Sequence, residues 1–445
     1  MNNEAAKKIN DIEFELDHKM HLILKVGQLL MENSADSNRV VKTMKRAAAY
    51  MGIDSDNCHI HITYTTVMLN ISVGHYSTTR FQKCYQHNVN MAILAEVSKL
   101  TWRAIEEDYS LKKFEIELGR ISNCKVRYTP IIVTIGAALA CGGVTRLFGG
   151  DWMAFFYTTI CAAIGFSCRV KCDRLQVNAY MGIAIGSFVA TICAYFVHFL
   201  PFTSTPWHPM LTCAIFIVPG VSLINAIEDM LDSYITAGTT RAINTILMVG
   251  SMTFGIVFAI QLCHVADFTN IALDPKNTYW VYAVSAFIAA AGFSTMFNVP
   301  PRFLWAVGLG GSIAVCLRNF LNLDLALGQP IGTLVGAMTV SIISLKAMHW
   351  LHTPNHVLLI PSVIPLMPGI FMYRLMFAVI NTDILTETQL VHAFQNGINA
   401  TLTILAIAIG VAIPNIFARK YFQNEEAQHM QRSLYKRYVK RHAIK

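Results

Sequence analysis

The chain has 445 residues, of which 54% are hydrophobic and only 14% are charged, and its mean hydropathy is +0.44. This composition is too apolar and too lightly charged for an ordinary soluble protein of this size. The formal net charge of +8 could point to nucleic acid, but much of the basic excess lies in the last 27 residues, directly after an apolar segment. Basic residues in that position anchor a protein at anionic lipid, so we expect a membrane protein that binds lipid and no nucleic acid.

Residues 1–129 are polar and charged like a soluble domain and contain no apolar signal sequence, so we expect them to stay in the cytoplasm. Apolar residues at helical spacing predict two helices before Gly52 and two more after residue 88. Between them, the runs at 59–74 and 78–86 are rich in Thr, Val and Ile and predict β-strands. The sequence therefore predicts a small α/β domain.

Two features of this domain could suggest chemistry. His59 and His61 alternate along the first predicted strand and share a face, but no Cys, Asp or Glu supplies a third metal ligand at a convincing spacing. The acidic cluster at 106–108 is typical of a solvated helix end. We find no phosphate-binding glycine loop, nucleophile elbow or HExxH motif, so we expect no enzyme, no metal and no cofactor.

From residue 130 to about residue 418 the chain is a series of apolar stretches, and a membrane span takes about 20 apolar residues. We predict ten spans. They cover approximately 130–149, 152–168, 177–200, 209–229, 243–263, 279–297, 303–321, 329–350, 356–380 and 396–418. The remaining residues, 419–445, form a basic tail.

The charges between the spans predict their orientation. The loop at 169–176 carries three basic residues, whereas the loops at 202–208 and 382–395 carry no Lys or Arg. By the positive-inside rule, the first of these loops is cytoplasmic and the other two are outside. Because ten is an even number, both termini are then cytoplasmic. We expect the protein to lie in the cytoplasmic (inner) membrane.

The membrane part contains an internal duplication with an offset of 149 residues. The segment IFIVPG at 215–220 returns as IPLMPG at 364–369. The same offset relates Gly143 to Gly292, Phe148 to Phe297, and Arg169 to Arg318. Four features that share one offset indicate two copies, at 130–268 and 277–418. Each copy has five spans, and because five is odd, the second copy enters the membrane from the opposite side.

A Pro-Gly pair lies near the middle of the fourth span of each copy, as Pro219-Gly220 and Pro368-Gly369. Proline lacks an amide hydrogen, and the backbone groups it leaves unpaired are tolerated in a membrane only beside protein or a water-filled cavity. A plain kink is the alternative for either one, but matched breaks in inverted copies favour a transport site near the midplane. The half-helix after each glycine would turn its positive end towards a carboxylate.

Polar side chains after the breaks complete the candidate substrate site. Ser222 and Asn225 share one helix face after the first break, and Arg374 follows the second. An arginine inside a span costs at least about 2.5–3.5 kcal/mol, so we expect it to face a cavity or a partner. We interpret Arg374 as the counter-charge for an anionic group of the substrate. The alternatives are that Arg374 pairs with a structural partner elsewhere in the protein, or that its side chain reaches the outer surface.

Three acidic residues lie near the inner end of the fourth span, namely Glu228, Asp229 and Asp232. They could bind a coupling ion, for which we expect a proton, or they could equally form a hydrated helix end beside the cytoplasm. Asn244 and Asn399 open the fifth and tenth spans in the matched runs AINTIL and GINATL. We regard these two as secondary site candidates.

Four segments carry a family resemblance. They are GQLLMENSADSNRVVKTMKRAAAYMGI and VNMAILAEVSKLTWRAI in the soluble part, and VPGVSLINAIEDML and PLMPGIFMYRLMFAV in the membrane part. With them the chain resembles the threonine/serine exporter (ThrE) family over nearly its whole length, with halves of the YjjP and YjjB type fused. The resemblance implies a cytoplasmic domain followed by ten spans. It also implies ion-driven export of threonine and serine, or of short dicarboxylates such as succinate.

We therefore expect an α-helical polytopic membrane protein of two inverted five-span repeats, preceded by a small α/β cytoplasmic domain. Its expected function is secondary export of a small carboxylate-bearing metabolite by alternating access. We favour threonine or serine over a dicarboxylate, because a second carboxylate would favour another cation and Arg374 is the one cation found deep in a span. A membrane sensor or enzyme acting through residues 10–125 is a rival from another class. The basic tail and the exposed helices of the domain offer surfaces for a homo-oligomer.

Overall fold

The computed structural model describes residues 2–73, 76–85, 88–124, 127–217, 219–265, 278–351, 353–380, 382 and 385–442. The chain divides into two compact units. The first comprises residues 1–125, 228–240 and 417–445, and the second comprises residues 126–227 and 241–416.

The N-terminal part of the first unit combines helices with an antiparallel sheet. Its elements are α1 Asn2–Glu32, α2 Ser37–Tyr50, β1 Cys58–Ile62, β2 Thr66–Val73, β3 Tyr76–Lys83, α3 Met91–Glu106 and α4 Leu111–Ser122. The strands have the order β1-β2-β3, and α1 packs against β2, β3, α2 and α3. The apolar run at 59–74 divides into two strands because the chain turns after β1, where the amide of Thr63 donates to the carbonyl oxygen of Thr66 at 2.9 Å.

Local sequence explains where these helices begin and end. The carboxylate of Asp36 accepts a hydrogen bond from the amide of Arg39 at 2.8 Å and caps α2, as Asn90 and Ser110 cap the next two helices. After α2 the chain passes through Gly52 with φ +80°, a conformation that glycine adopts without a steric cost. His59 and His61 are exposed on one face of β1.

Residues 130–442 contain the apolar helices, which lie wholly or partly in the second unit. They are α5 Pro130–Leu147, α6 Trp152–Arg174, α7 Ala179–His198, α8 His208–Thr212, α9 Gly220–Leu231, α10 Ile235–Leu262, α11 Tyr279–Met296, α12 Leu304–Asn319, α13 Gln329–Leu351, α14 Asn355–Val363, α15 Gly369–Ile380 and α16 Glu387–His442. Eight segments are long and apolar enough to cross a membrane, and two bent helix pairs raise this number to ten. Within the described ranges this confirms a helical, polytopic membrane protein.

Three helices extend well beyond the predicted spans. Helix α6 continues to Arg174, six residues past the predicted end of the second span, so that most of the predicted loop at 169–176 is helical. Helix α10 begins at Ile235, eight residues before the predicted fifth span. Helix α16 begins at Glu387 and continues to His442, so that most of the predicted loop at 382–395 and most of the basic tail are helical. Hydropathy does not predict these extensions, because the added helical turns are polar.

Helices α5 and α11 pack closely against each other within the second unit. A Cβ atom added to Gly143 would lie only 2.7 Å from the carbonyl oxygen of Ser285 and 3.0 Å from the amide of Ala289. Small residues allow such an approach, and close backbone packing is a main source of helix association in membranes. Helices α6 and α12 flank this pair, since α6 packs on α5 and α12 packs on α11.

Candidate functional site

Each Pro-Gly segment interrupts a bent pair of helices. The first pair joins His208–Ile217 to Gly220–Leu231, and the second joins Asn355–Leu366 to Gly369–Ile380. The helix axis turns by 58° in both pairs. The two breaks therefore agree in position and in angle.

The prolines explain where the helices stop and restart. A 3₁₀ turn ends each first half, and Pro219 or Pro368 follows without an amide hydrogen to continue the helix. The carbonyl oxygen of each proline then accepts the first hydrogen bond of the next half-helix. The donors are the amides of Leu223 and Met372, and both bonds measure 3.1 Å. The first amides of α9 and α15 precede these donors and have no partner within the helix.

The two breaks contact each other within the second unit. A Cβ atom at Gly220 would lie 2.5 Å from Cδ1 of Ile364 and 3.5 Å from Cγ of Met367. The first residue of α9 thus lies against the turn and the linker that lead into α15. The geometry brings the starts of both half-helices to one place in the unit.

The predicted substrate-binding residues differ in exposure, and three of the seven keep part of their surface accessible. These three are Pro219, Ser222 and Arg374, whereas Gly220, Asn225, Pro368 and Gly369 are buried. The hydroxyl of Ser222 on α9 and the guanidinium of Arg374 on α15 place a polar group on each broken helix. Both broken helices therefore present a group that can bind a polar ligand.

Arg374 also interacts with the beginning of the first broken helix. Its charge lies within electrostatic range of His208, the first residue of α8. The Nε2 atom of His208 lies 3.2 Å from the carbonyl oxygen of Phe148 at the end of α5. Sequence reasoning did not select His208, because a single histidine at the end of an outer loop gives no motif.

The three acidic candidates lie in the first unit, and two of them, Asp229 and Asp232, contact the N-terminus of α2. The carboxylate of Asp229, 1% exposed, accepts a hydrogen bond from the backbone amide of Ser37 at 2.7 Å. Asp232 accepts one from Nδ2 of Asn38 at 2.7 Å. A carboxylate is favourable there because the positive end of the helix dipole points at it. Glu228 is buried as well, at 3% exposure. An ion-coupling role for the three stays a prediction.

The secondary candidates have different surroundings. The hydroxyl of Tyr180 donates to Oδ1 of Asn244 at 2.5 Å and links α7 to α10. Asn399 is exposed on α16. Arg241, which the predicted fifth span left out, is 3% exposed in the second turn of α10. In the described ranges, no group of three or more His, Cys, Asp and Glu side chains could hold a metal ion.

Comparison with known families covers both halves of the chain. The family model described as "Putative threonine/serine exporter" matches residues 21–263, and that described as "Threonine/Serine exporter, ThrE" matches residues 282–417. The chain belongs to the threonine/serine exporter family. It is thus a multi-pass membrane protein of a transporter family, with eight to ten spans in the described residues.

Individual relatives of the family extend this result. The chain is 24% identical over 413 residues to the "Threonine/serine exporter" of Corynebacterium glutamicum, covering 90% of this chain and 82% of that protein. It is 20% identical over 414 residues to the "Probable threonine/serine exporter" of Mycobacterium tuberculosis, covering 90% of this chain and 76% of that protein. It is 24% identical over 242 residues to the "Probable succinate transporter subunit YjjP" of Escherichia coli, covering 54% and 93%. No solved structure matches the chain.

Proposed function

We propose that this chain exports threonine or serine across the cytoplasmic membrane by alternating access. The observation that carries this proposal is the contact between the two breaks, where Gly220 lies against Ile364 and Met367. Broken helices that meet at a repeat interface form the binding sites of many secondary transporters. The choice of substrate follows the names of the two relatives that match 90% of the chain.

Two inverted repeats supply the moving parts in this proposal. The bounds of α5 and α11 differ by 149 residues at both ends, as do those of α9 and α15. Contacts also pair Gly136 with Gly292 and Gly143 with Ser285, so α5 and α11 run in opposite directions. Equivalent helices that pack antiparallel are the result expected from a two-fold axis in the membrane plane.

In the proposed site, the substrate carboxylate binds the first amides of α9 and α15 and the guanidinium of Arg374. The helix dipoles add a favourable potential there, because both half-helices begin at the break contact. Ser222 and Asn225 lie on the first two turns of α9, where a hydroxyl and an amide can bind the polar groups of an amino acid. Rocking of one repeat against the other then opens the site to each side in turn.

We place both termini in the cytoplasm and expect a proton to be the coupling ion. Protonation of Asp229 or Asp232 would remove the charge that binds Ser37 and Asn38. Loss of these charge-assisted bonds would loosen the inner end of α9 from α2. This gives the acidic residues a way to connect proton binding with movement of a broken helix.

Export of a C4-dicarboxylate such as succinate is the second candidate function. It is favoured by the relative from Escherichia coli, whose name assigns it to succinate transport.

Efflux measurements decide between these functions. Cells with and without the protein are preloaded with labelled threonine, serine and succinate, and the initial efflux rates are compared. We expect faster efflux of threonine or serine, its loss in Arg374→Ala, and normal efflux in Arg302→Ala, which replaces an exposed arginine. Succinate efflux alone would select the second candidate. Unchanged efflux in Arg374→Ala at equal membrane abundance would rule out the proposed role of Arg374.

A further inference from the structure

A cluster of polar side chains lies where α5 and α12 end and α11 begins. It consists of Arg146, Tyr282, Arg318 and Asn319, and we call it the arginine cluster. All four residues belong to the second unit, and none belongs to the proposed site at the breaks. In the proposed topology this end of the helices faces the outside.

Backbone packing brings Arg146 and Tyr282 together. A Cβ atom at Gly143 would lie 2.7 Å from the carbonyl oxygen of Ser285. Arg146 lies about one turn beyond Gly143 on α5, and Tyr282 lies about one turn from Ser285 towards the same end. Tyr282 is 2% exposed and lies within electrostatic range of the guanidinium of Arg146.

Contacts between α11 and α12 add Arg318 to this pair. The Sγ atom of Cys316 lies 3.8 Å from the carbonyl oxygen of Tyr279, so the last turn of α12 lies beside the first turn of α11. Arg318 follows two residues later and also lies within electrostatic range of Tyr282. Two guanidinium groups therefore approach one buried phenol from different helices.

Arg318 is buried at 8% exposure, and the described part of the chain places no carboxylate within 4.0 Å of it. Its counterpart in the first copy, Arg169, interacts electrostatically with Asp173 one turn further along α6. The second copy has Asn322 in place of that aspartate. Because a buried charge is stable only when it is paired, Arg318 requires an anion that its own helix does not provide.

The arginine cluster also contains more hydrogen-bond donors than acceptors. The Nε atom of Arg318 donates to Oδ1 of Asn319 at 3.0 Å. The Nδ2 atom of Asn319 and the Nε atom of Arg146 are buried and have no hydrogen-bond partner in the ranges that the structure describes. Asp151 interacts with Arg146, but its carboxylate already accepts hydrogen bonds from residues 203–204 and from the amide of Ala154.

We propose that the arginine cluster is a second binding site, which takes the carboxylate group of a small organic anion. A carboxylate carries negative charge, accepts hydrogen bonds without donating any, and fits the planar fork of arginine. The duplication does not repeat this site, since Thr295 and Val133 stand where the offset would place Arg146 and Tyr282. The two copies therefore differ at this position, and the arginine cluster binds the anion at the outer end of the helices.

Binding of labelled succinate to the purified full-length protein tests this site. The measurement uses an Arg374→Ala background, which removes the guanidinium of the proposed central site. We expect saturable binding whose affinity falls at least tenfold on Arg318→Gln and falls less on Arg318→Lys, which keeps the charge but loses the fork. Arg302→Gln is the matched control and leaves the affinity unchanged.

Two further variants keep the test decisive if Arg318→Gln does not fold, as judged by gel filtration. Tyr282→Phe removes only a hydroxyl group, and Arg146→Gln removes the second charge; each lowers the affinity at least threefold. The proposal is overturned if the Arg374→Ala protein binds no succinate, or if neither variant changes the affinity. Because the measurement involves no transport, its failure would leave the proposed export function untouched.

Discussion

Gly143 and Gly292 make reciprocal contacts in the seam between α5 and α11. A Cβ atom at Gly143 would lie 3.0 Å from the amide of Ala289, and one at Gly292 would lie 2.9 Å from the amide of Ala140. The two glycines are 149 residues apart, and so are the two alanines. The two contacts are therefore equivalent, since the offset of the duplication relates one to the other. Both positions require glycine, because the Cβ atom of any other residue would collide with backbone atoms.

Substitution of either glycine should destabilise the protein to a similar degree. We expect Gly143→Ala and Gly292→Ala each to cost about 1–3 kcal/mol, the range for overpacking a close contact. Gly250→Ala is the matched control, because no atom lies within 4 Å of a Cβ added there on α10. Thermal unfolding of the purified variants measures the effect. If Gly250→Ala lowered the melting temperature as much as the other two, the seam would have no special role.

Asp229 should stabilise the first turn of α2 through its bond to the amide of Ser37. Hydrogen bonds to charged groups contribute about 1.5–3 kcal/mol, so Asp229→Asn should loosen this turn measurably. Hydrogen exchange of the full-length protein, followed at residues 37–50, is the readout. Asp173→Asn, a carboxylate on α6, serves as the control and should leave exchange in α2 unchanged. Equal protection of α2 in both variants would contradict the proposed link between Asp229 and the N-terminal part of the first unit.

The sequence predicted the helix breaks because their cause is local. Pro219 and Pro368 cannot continue a helix, and the offset of 149 residues made them a matched pair before any contact was known. Apolar periodicity in residues 10–125 is also local, and it predicts two helices before the strands and two after them. The predicted span boundaries are less accurate, as at Glu387, because polar helical turns cannot be distinguished from loops by hydropathy.

Contacts between distant residues could not be predicted. The bond between Ser37 and Asp229 joins positions 192 residues apart, and the sequence contains no pattern that pairs them. Arg318 is an exception, because the loss of its partner is visible in the sequence. The offset of 149 residues pairs Arg318 with Arg169, and Asn322 stands where the counterpart of Asp173 would lie.

The cysteines of the first unit should differ sharply in reactivity. Burial raises the pKa of the Cys84 thiol to about 12, and the nearby Glu32 carboxylate adds to this rise. Because only the thiolate reacts, roughly 10⁻⁵ of such a thiol is reactive at pH 7. Burial raises the pKa of Cys58 as well, whereas Cys124 is exposed. We expect a maleimide at pH 7 to label Cys124 and to leave the other two unmodified, as read by peptide mass spectrometry.

The same labelling tests the side of the membrane. A maleimide that cannot cross membranes should modify Cys124 in inside-out vesicles and should not modify it in intact cells. Urea-unfolded protein, in which all three thiols react, is the positive control. Modification of Cys124 in intact cells would place the N-terminal part outside and would refute the proposed topology.

Contact between the two breaks should be required for transport. A methyl group at Gly220 would lie 2.5 Å from Cδ1 of Ile364, so Gly220→Ala should push the breaks apart and slow efflux several-fold. Ile364→Val removes that Cδ1 atom and by itself should cost only about 0.5–1.5 kcal/mol of stability. The double variant should therefore recover much of the lost rate, because the new methyl group then occupies the vacated space. Initial efflux rates at equal membrane abundance measure this coupling. Additive losses in the double variant would show that Gly220 acts through something other than its contact with Ile364.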